Sequence, residues 1–201
     1  MVLYLTIIVI ANIIISALNI AFGTAFFGYQ WWFVIIMCVV STIFEFAIDG
    51  LFAFIINKLP NKWFASNVKH FEVSKKSQQF YQKLNIRKWN DKVWELGGLG
   101  GFRKNKINDP NSPEYIEQFI VESNKGVVTH RVGYFVGFLC VFIFPLKYAL
   151  VIGLPIALVN LFLNILPTMV LRYNLPKLHA VLKRLKKYEK PEESQNKKEN
   201  N

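Results

Sequence analysis

His130 and Glu122 have the clearest capacity for acid–base chemistry in this sequence. They stand eight residues apart, which on one helix turns them by about 80° and separates them by about 12 Å. They cannot touch along that helix, yet they can flank one groove. A histidine titrates near neutrality and can deprotonate a hydroxyl as a general base; hydrogen-bonded at a membrane surface, the same residue is a structural group. Glu45 and Asp49 lie one helical turn apart inside an apolar run and share a face. Carboxyls at such depth either serve a function, an ion or proton pathway included, or pair structurally with a cation such as Lys58 or Arg172. Arg172 opens the string Arg172-Tyr173-Asn174-Leu175-Pro176. Its guanidinium can hold a phosphate or carboxylate bidentately or anchor the end of a span. Cys38 and Cys140 are far apart in apolar segments, so they predict packing and neither a disulfide nor a metal site.

The elements that must position these groups follow from how charge is segregated. The chain has 201 residues, 53% hydrophobic and 15% aromatic, with a net charge of +11. Fourteen of the 24 Lys and Arg residues lie in 57–131, nine from 172 onward, and Lys147 alone between. No Lys or Arg precedes Lys58. This pattern excludes a disordered chain and an ordinary water-soluble domain, and describes an integral membrane protein with cationic segments at the bilayer surface. A hydrocarbon core of about 30 Å requires roughly 20 apolar residues of helix. Residues 2–27 and 31–56 each supply one span, with Gly23, Gly28 and Tyr29 at the turn. The stretch 132–171 supplies two more, hinged at Pro145, Lys147 and Tyr148. The predicted fold is all-α, with four transmembrane helices, interfacial amphipathic helices and a cytoplasmic loop. A cleaved signal peptide is the rival for the first run, but it lacks a basic start and its apolar core is too long. The positive-inside rule puts both long basic segments, and so both termini, in the cytoplasm of a multi-pass cell-membrane protein.

Segment 57–131 interleaves Trp63, Phe64, Phe71, Phe80, Tyr81, Trp89 and Trp94 with lysines and arginines. Beside a span this predicts helices in the headgroup layer, not a nucleic-acid surface. Ser74 can cap a short helix bearing Phe80 and Tyr81, and a second short helix is expected over 86–94. Gly97, Gly98, Gly100 and Gly101 read as a turn, without a phosphate-loop spacing. Ser112-Pro113-Glu114 is a helix start, with a cap, a proline at the first position and an acid in the first turn. The third membrane helix therefore begins near Pro113. A basic surface helix is expected over 172–188 and a disordered tail over 189–201.

Three ordered blocks carry a resemblance. They are Lys58-Leu59-Pro60-Asn61-Lys62-Trp63-Phe64 with Ile86-Arg87-Lys88-Trp89, then Ile120 to His130, then Leu171-Arg172-Tyr173-Asn174-Leu175-Pro176-Lys177-Leu178. Together they resemble the glycosyl-4,4'-diaponeurosporenoate acyltransferase family, enzymes of the last step of staphyloxanthin-type carotenoid synthesis. Glu122, Lys125, His130, Arg172, Tyr173 and Asn174 match the family's pattern. Val127 stands where that pattern has a second Glu, and Leu175 where it has an Arg. The resemblance implies transfer of a fatty acyl group to a hydroxyl of a lipid-linked or glycosylated acceptor. His130 would then be the base, with Glu122 supporting it. Arg172 and Lys58 would hold the anionic part of acyl-CoA or another acyl donor, with Lys125 also at the substrate. Tyr173 and Asn174 would donate toward the carbonyl. No bound cofactor and no metal is implied, and the partners expected are the lipid or glycolipid substrate, the membrane, and an oligomer or membrane-protein partner. A non-enzymatic lipid-binding or scaffolding protein of the same fold is the alternative, for which Val127 speaks.

Overall fold

The structure is a computed structural model that describes residues 2–93 and 107–199, with side chains from 4 to 93 and from 107 to 188. Trp94 and the glycines from Gly97 to Gly101 lie outside the described residues. Among those described there is no strand. Helix α1 (Val2–Leu18) passes through a π-helical turn, Asn19–Gly23, into α2 (Thr24–Phe27). The long α3 (Trp31–Lys58) follows, then α4 (Lys75–Lys83) among short 3-10 turns, α5 (Pro113–Val136) with a 3-10 extension Gly137–Phe142, and α6 (Leu146–Tyr148). A second π turn, Ala149–Gly153, leads into α7 (Leu154–Glu199).

Three stretches are long and apolar enough to cross a membrane: Tyr4–Phe27, Trp31–Lys58 and Leu146–Tyr188. The expectation of four spans is met for three. The remaining helix, α5, is polar over most of its length and becomes continuously apolar only from Val132, so its composition falls short of a full span. The hinge expected at Pro145 is present, between the end of the 3-10 extension and α6.

The described residues divide into two compact units. In the first, which takes in 1–58 and 128–168, the hairpin between α2 and α3 is set by Gly28 at φ +65°, a left-handed turn that glycine adopts without steric cost. The Tyr29 ring lies on Gly23, where a Cβ would collide with its Cδ2. Its hydroxyl donates to the Lys147 carbonyl at 2.8 Å, and its ring packs at 4.7 Å from that of Tyr148. Around these rings Ile15, Val34, Cys38, Ile152 and Ile156 form an apolar core.

Prolines inside this unit's helices leave carbonyls that side chains of the first span satisfy. Pro155 cannot donate to Val151, and the Val151 carbonyl instead accepts from Asn19 Nδ2 at 2.9 Å. Pro167 cannot donate to Leu163, and that carbonyl accepts from the Tyr4 hydroxyl at 3.2 Å. Both are repairs of the kind that let proline persist where no water reaches the backbone.

In the second unit, which takes in 59–91, 107–127 and 169 onward, the local signals fall where the sequence puts them. Ser74 Oγ accepts from the Ser77 amide at 3.2 Å at the head of α4, and Ser112 Oγ from the Tyr115 amide at 3.1 Å at the head of α5. Asn85, at φ +50°, follows α4, and two 3-10 turns, Ile86–Lys88 and Asn90–Lys92, replace the second short helix expected there. Ile116, Phe119, Ile120 and Val127 of α5 pack with Leu171, Leu175, Leu178 and Leu182 of α7. Each of these large side chains, once removed from solvent, contributes about 1.5–3 kcal/mol.

Helix α7 departs from expectation. A span ending at Leu171 and a separate surface helix over 172–188 were expected, and one helix runs from Leu154 to Glu199. Its apolar stripe, Leu171, Leu175, Leu178 and Leu182, continues across Pro176 without interruption, so packing against α5 holds the helix through the proline.

A polar clasp closes this unit. Lys186 Nζ donates to Glu117 Oε2 at 2.6 Å, and Ser66 Oγ donates to Oε1 of the same carboxyl. Burial opposes ionisation of Glu117, but the bonds from Lys186 and Ser66 and the lysine's charge outweigh it and hold the carboxyl below the usual range. A depressed carboxyl stabilises the fold above the unfolded carboxylate range and loses that contribution as pH falls through the folded value. The melting temperature of Glu117→Gln should therefore lie below that of the parent at neutral pH and converge with it in acid, as a pH series of thermal unfolding would read.

Candidate functional site

The first unit places a polar cluster among its apolar helices. Glu45 and Asp49 project from α3, His130 from α5, and Asn160 and Asn164 from α7. Asn164 is the centre. Its Nδ2 donates to Asp49 Oδ2 at 3.1 Å and to Asn160 Oδ1 at 3.0 Å, which turns its Oδ1 toward His130 Nδ1 at 2.8 Å. An amide oxygen only accepts, so Nδ1 carries a proton, and in the neutral ring Nε2 then keeps its lone pair. The structure thus supplies a histidine oriented by a neighbour, whose other nitrogen has the chemistry of a base when the ring is neutral.

Two glycines make the approach possible. A Cβ on Gly133 would lie 2.8 Å from the Asn164 amide carbon and oxygen, and one on Gly137 would lie 2.5 Å from Asn160 Nδ2 and 2.8 Å from Glu45 Oε2. Gly133 and Gly137 are one turn apart, a small-xxx-small pair of the sort that brings membrane helices close. Cys140, the next position of that face, donates its thiol to the Gly153 carbonyl at 3.2 Å. Both cysteines are buried and free. The partner of Asp49 is the Asn164 amide; Lys58, weighed as a counter-charge, instead lies over the Phe54 ring at 5.5 Å.

The other sequence candidates belong to the second unit. Glu122 accepts from Gln118 Nε2 at 2.7 Å, so the partner that holds His130 is Asn164 and not Glu122. Lys125 is 6% exposed, with Nζ 5.8 Å from the centre of the Phe64 ring, and the neighbouring Asn124 donates to the Phe64 carbonyl at 2.8 Å. Arg172 gives Nε to the Tyr81 hydroxyl at 3.2 Å, while its Nη1 is buried and makes no hydrogen bond. That leaves a guanidinium donor for an anion. Tyr173 carries Lys177 Nζ 3.7 Å above its ring, and Asn174 is half-buried on the same helix. Sequence reasoning missed Asn160, Asn164 and Tyr81. The Gly133–Gly137 spacing was the available signal for the first two, because a close helix crossing concentrates any polar side chain found beside it.

An all-helical membrane protein with a positioned histidine and a separate arginine donor is the class these observations define. The chain belongs to the glycosyl-4,4'-diaponeurosporenoate acyltransferase family, whose sequence pattern matches residues 60–184. No curated protein and no solved structure matches it. His130, Asn164 and Arg172 fall inside the matched region, whereas Glu45 and Asp49 fall outside it.

The two departures from the family's pattern share one location. Val127 and Leu175 are both fully buried and belong to the same apolar cluster of α5 and α7. Where the family pattern has Glu and Arg, this chain has two apolar residues in one core, an exchange that a buried ion pair tolerates well. Val127→Glu alone should lower stability by about 3–5 kcal/mol, and Leu175→Arg added to it should recover part of that loss. A double-mutant cycle measured by denaturation would show a favourable coupling of about 1 kcal/mol or more; strict additivity would count against the exchange.

Proposed function

We propose that the protein is a membrane O-acyltransferase that moves a fatty acyl group onto a hydroxyl of a lipid-linked or glycosylated acceptor at the cytoplasmic leaflet. The observation that carries this reading is the Asn164–His130 contact, which in the neutral ring places the proton on Nδ1 and the lone pair on Nε2, in the unit made of apolar helices. Nε2 takes the acceptor's hydroxyl proton as its oxygen attacks the carbonyl of an acyl thioester such as acyl-CoA. The C–S bond then breaks, and the imidazolium returns the proton to the leaving thiolate, giving an ester and a free thiol. No net proton and no redox partner are needed. Arg172 is assigned the donor's anionic group, because its Nη1 is buried without a partner and a guanidinium binds phosphate well.

Charge distribution supports the orientation, with both long basic segments and both termini on the cytoplasmic side. An even number of passes then requires a fourth crossing. Val132–Phe142, where Phe135 and Phe142 are 77% and 81% exposed and suited to lipid, is assigned the apolar end of that crossing.

Expression of the chain in a bacterial host followed by lipid mass spectrometry tests the activity. The expected result is a host or supplied glycolipid heavier by one acyl residue, absent from cells carrying the empty vector. Identical lipid profiles in the two strains, with the protein present in the membrane, would overturn the reading.

A further inference from the structure

Eight buried side-chain polar atoms among the described residues make no hydrogen bond, and five of them gather around the cluster of the first unit: Ser41 Oγ, both oxygens of Glu45, Asp49 Oδ1 and Asn160 Nδ2. Ser41, Glu45 and Asp49 follow one another at four-residue intervals along one side of α3, over about 12 Å. Ser41 is wholly buried and Glu45 is 5% exposed. The Cys140 thiol lies beside Glu45 and is given to the Gly153 carbonyl, and the Asn160 amide lies beside Asp49. Asn160 Nδ2 and Glu45 Oε2 both lie within 3 Å of the point where a Gly137 Cβ would be, so the unpaired donor and the unpaired acceptors face one region. Buried polar atoms in native proteins are nearly always satisfied, and a concentration of exceptions points to something that binds there.

The chemistry of the atoms selects the ligand. Four unpaired acceptors beside one unpaired amide donor suit neither a bare cation, which an amide N–H repels and which would recruit oxygens only, nor an anion, which the carboxyls repel. A hydroxyl both donates and accepts. Two adjacent hydroxyls can give both protons to one carboxyl while one oxygen accepts from Asn160. Asp49 is held by the same Asn164 amide that holds His130, so a ligand seated on these carboxyls lies one side chain away from the base.

We propose that Ser41, Glu45, Asp49 and Asn160 form the binding site for the vicinal hydroxyls of a lipid-borne polyol headgroup. The proposal rests on the acyl-transfer reading for its purpose, since it names the groups that select the acceptor. It adds residues of α3 that lie outside the region matching the family. Glu45 and Asp49 thereby determine which hydroxylated lipid is presented to His130.

Binding separates this proposal from the reading on which it rests. The full chain, purified in a detergent without sugar groups, is titrated with monoglucosyl diacylglycerol, diacylglycerol, glucose, NaCl and KCl, and thermal shifts give the affinities. The glucosylated lipid should bind about tenfold or more tightly than diacylglycerol, and Glu45→Gln, Asp49→Asn and Ser41→Ala should each erode that preference, Glu45→Gln by about tenfold or more. His130→Gln should retain it. Equal binding of the two lipids, an unchanged preference in both carboxyl variants, a shift from glucose alone equal to that from the lipid, or a shift from Na+ or K+ lost in Glu45→Gln would each overturn the proposal. A wild-type preference for the sugar with no acyl transfer would sink the activity and leave the site standing; transfer with no such preference would do the reverse.

Discussion

Replacing His130 with alanine is expected to lower acyl transfer by the purified chain about 10²–10⁴-fold, equivalent to about 3–5 kcal/mol in the barrier. The loss should fall on turnover. His130 is half-buried, and its recorded contact is one hydrogen bond to Asn164, so its removal leaves the apolar cores intact. Circular dichroism and thermal unfolding should therefore change little while product formation collapses. An Asn164→Leu variant separates the base from its holder. With Nδ1 no longer paired to an amide oxygen, the ring can turn and the tautomer is no longer fixed, so activity should fall while Asp49 and Asn160 lose their shared donor. Retention of full turnover in His130→Ala would remove the histidine from the chemistry.

The second large effect is expected from a single methyl group. In Gly133→Ala the new Cβ would come within 2.8–2.9 Å of three atoms of the Asn164 amide. Backbone is not involved, so the helices need not separate; the amide must rotate or withdraw. That displaces Oδ1 from His130 Nδ1, and displacement of a catalytic group by about 1 Å can cost about 10²-fold in rate. The signature is a large fall in turnover with a small change in melting temperature. Gly50 gives the control, since nothing lies within 4 Å of a Cβ placed there. Gly50→Ala should leave activity near the parent's. If Gly133→Ala were as active as Gly50→Ala, the close crossing of α5 and α7 would have no part in positioning the base.

Much of the fold is legible in local sequence. The apolar runs of 2–27 and 31–56 become spans because helix length and bilayer thickness must agree. Ser74 and Ser112 become caps because each offers an oxygen to an otherwise orphaned amide. Helix α7 is legible only in part. Pro155, Pro167 and Pro176 each signal a break in water, but Asn19 and Tyr4 satisfy two of the carbonyls they free, and leucines on both sides of Pro176 pack on α5. Asn19 and Tyr4 lie more than a hundred positions from the carbonyls they satisfy, and the α5 residues about fifty from the leucines they meet, which no local pattern contains.

The site divides in the same manner. Glu45, Asp49 and His130 announce themselves because charged and titratable groups are rare in apolar segments. Asn160 and Asn164 do not, since an uncharged amide in such a segment is compatible with solvent, lipid or a helix crossing. Only tertiary placement shows that Asn164 touches His130, Asp49 and Asn160 at once. Val127 shows the converse. Against the family's pattern it suggests lost chemistry, and only the fold shows that it is fully buried with Leu175 in one apolar cluster.

Ester formation by way of His130 is read from the transfer of an isotopically labelled acyl group from acyl-CoA to a glucosylated lipid in proteoliposomes, followed by mass spectrometry for the parent chain and for His130→Ala. Label esterified to the acceptor lipid is expected with the parent chain, and its near-absence with the variant. Label that stays in the donor, or that appears only as free fatty acid with the parent chain, would contradict it.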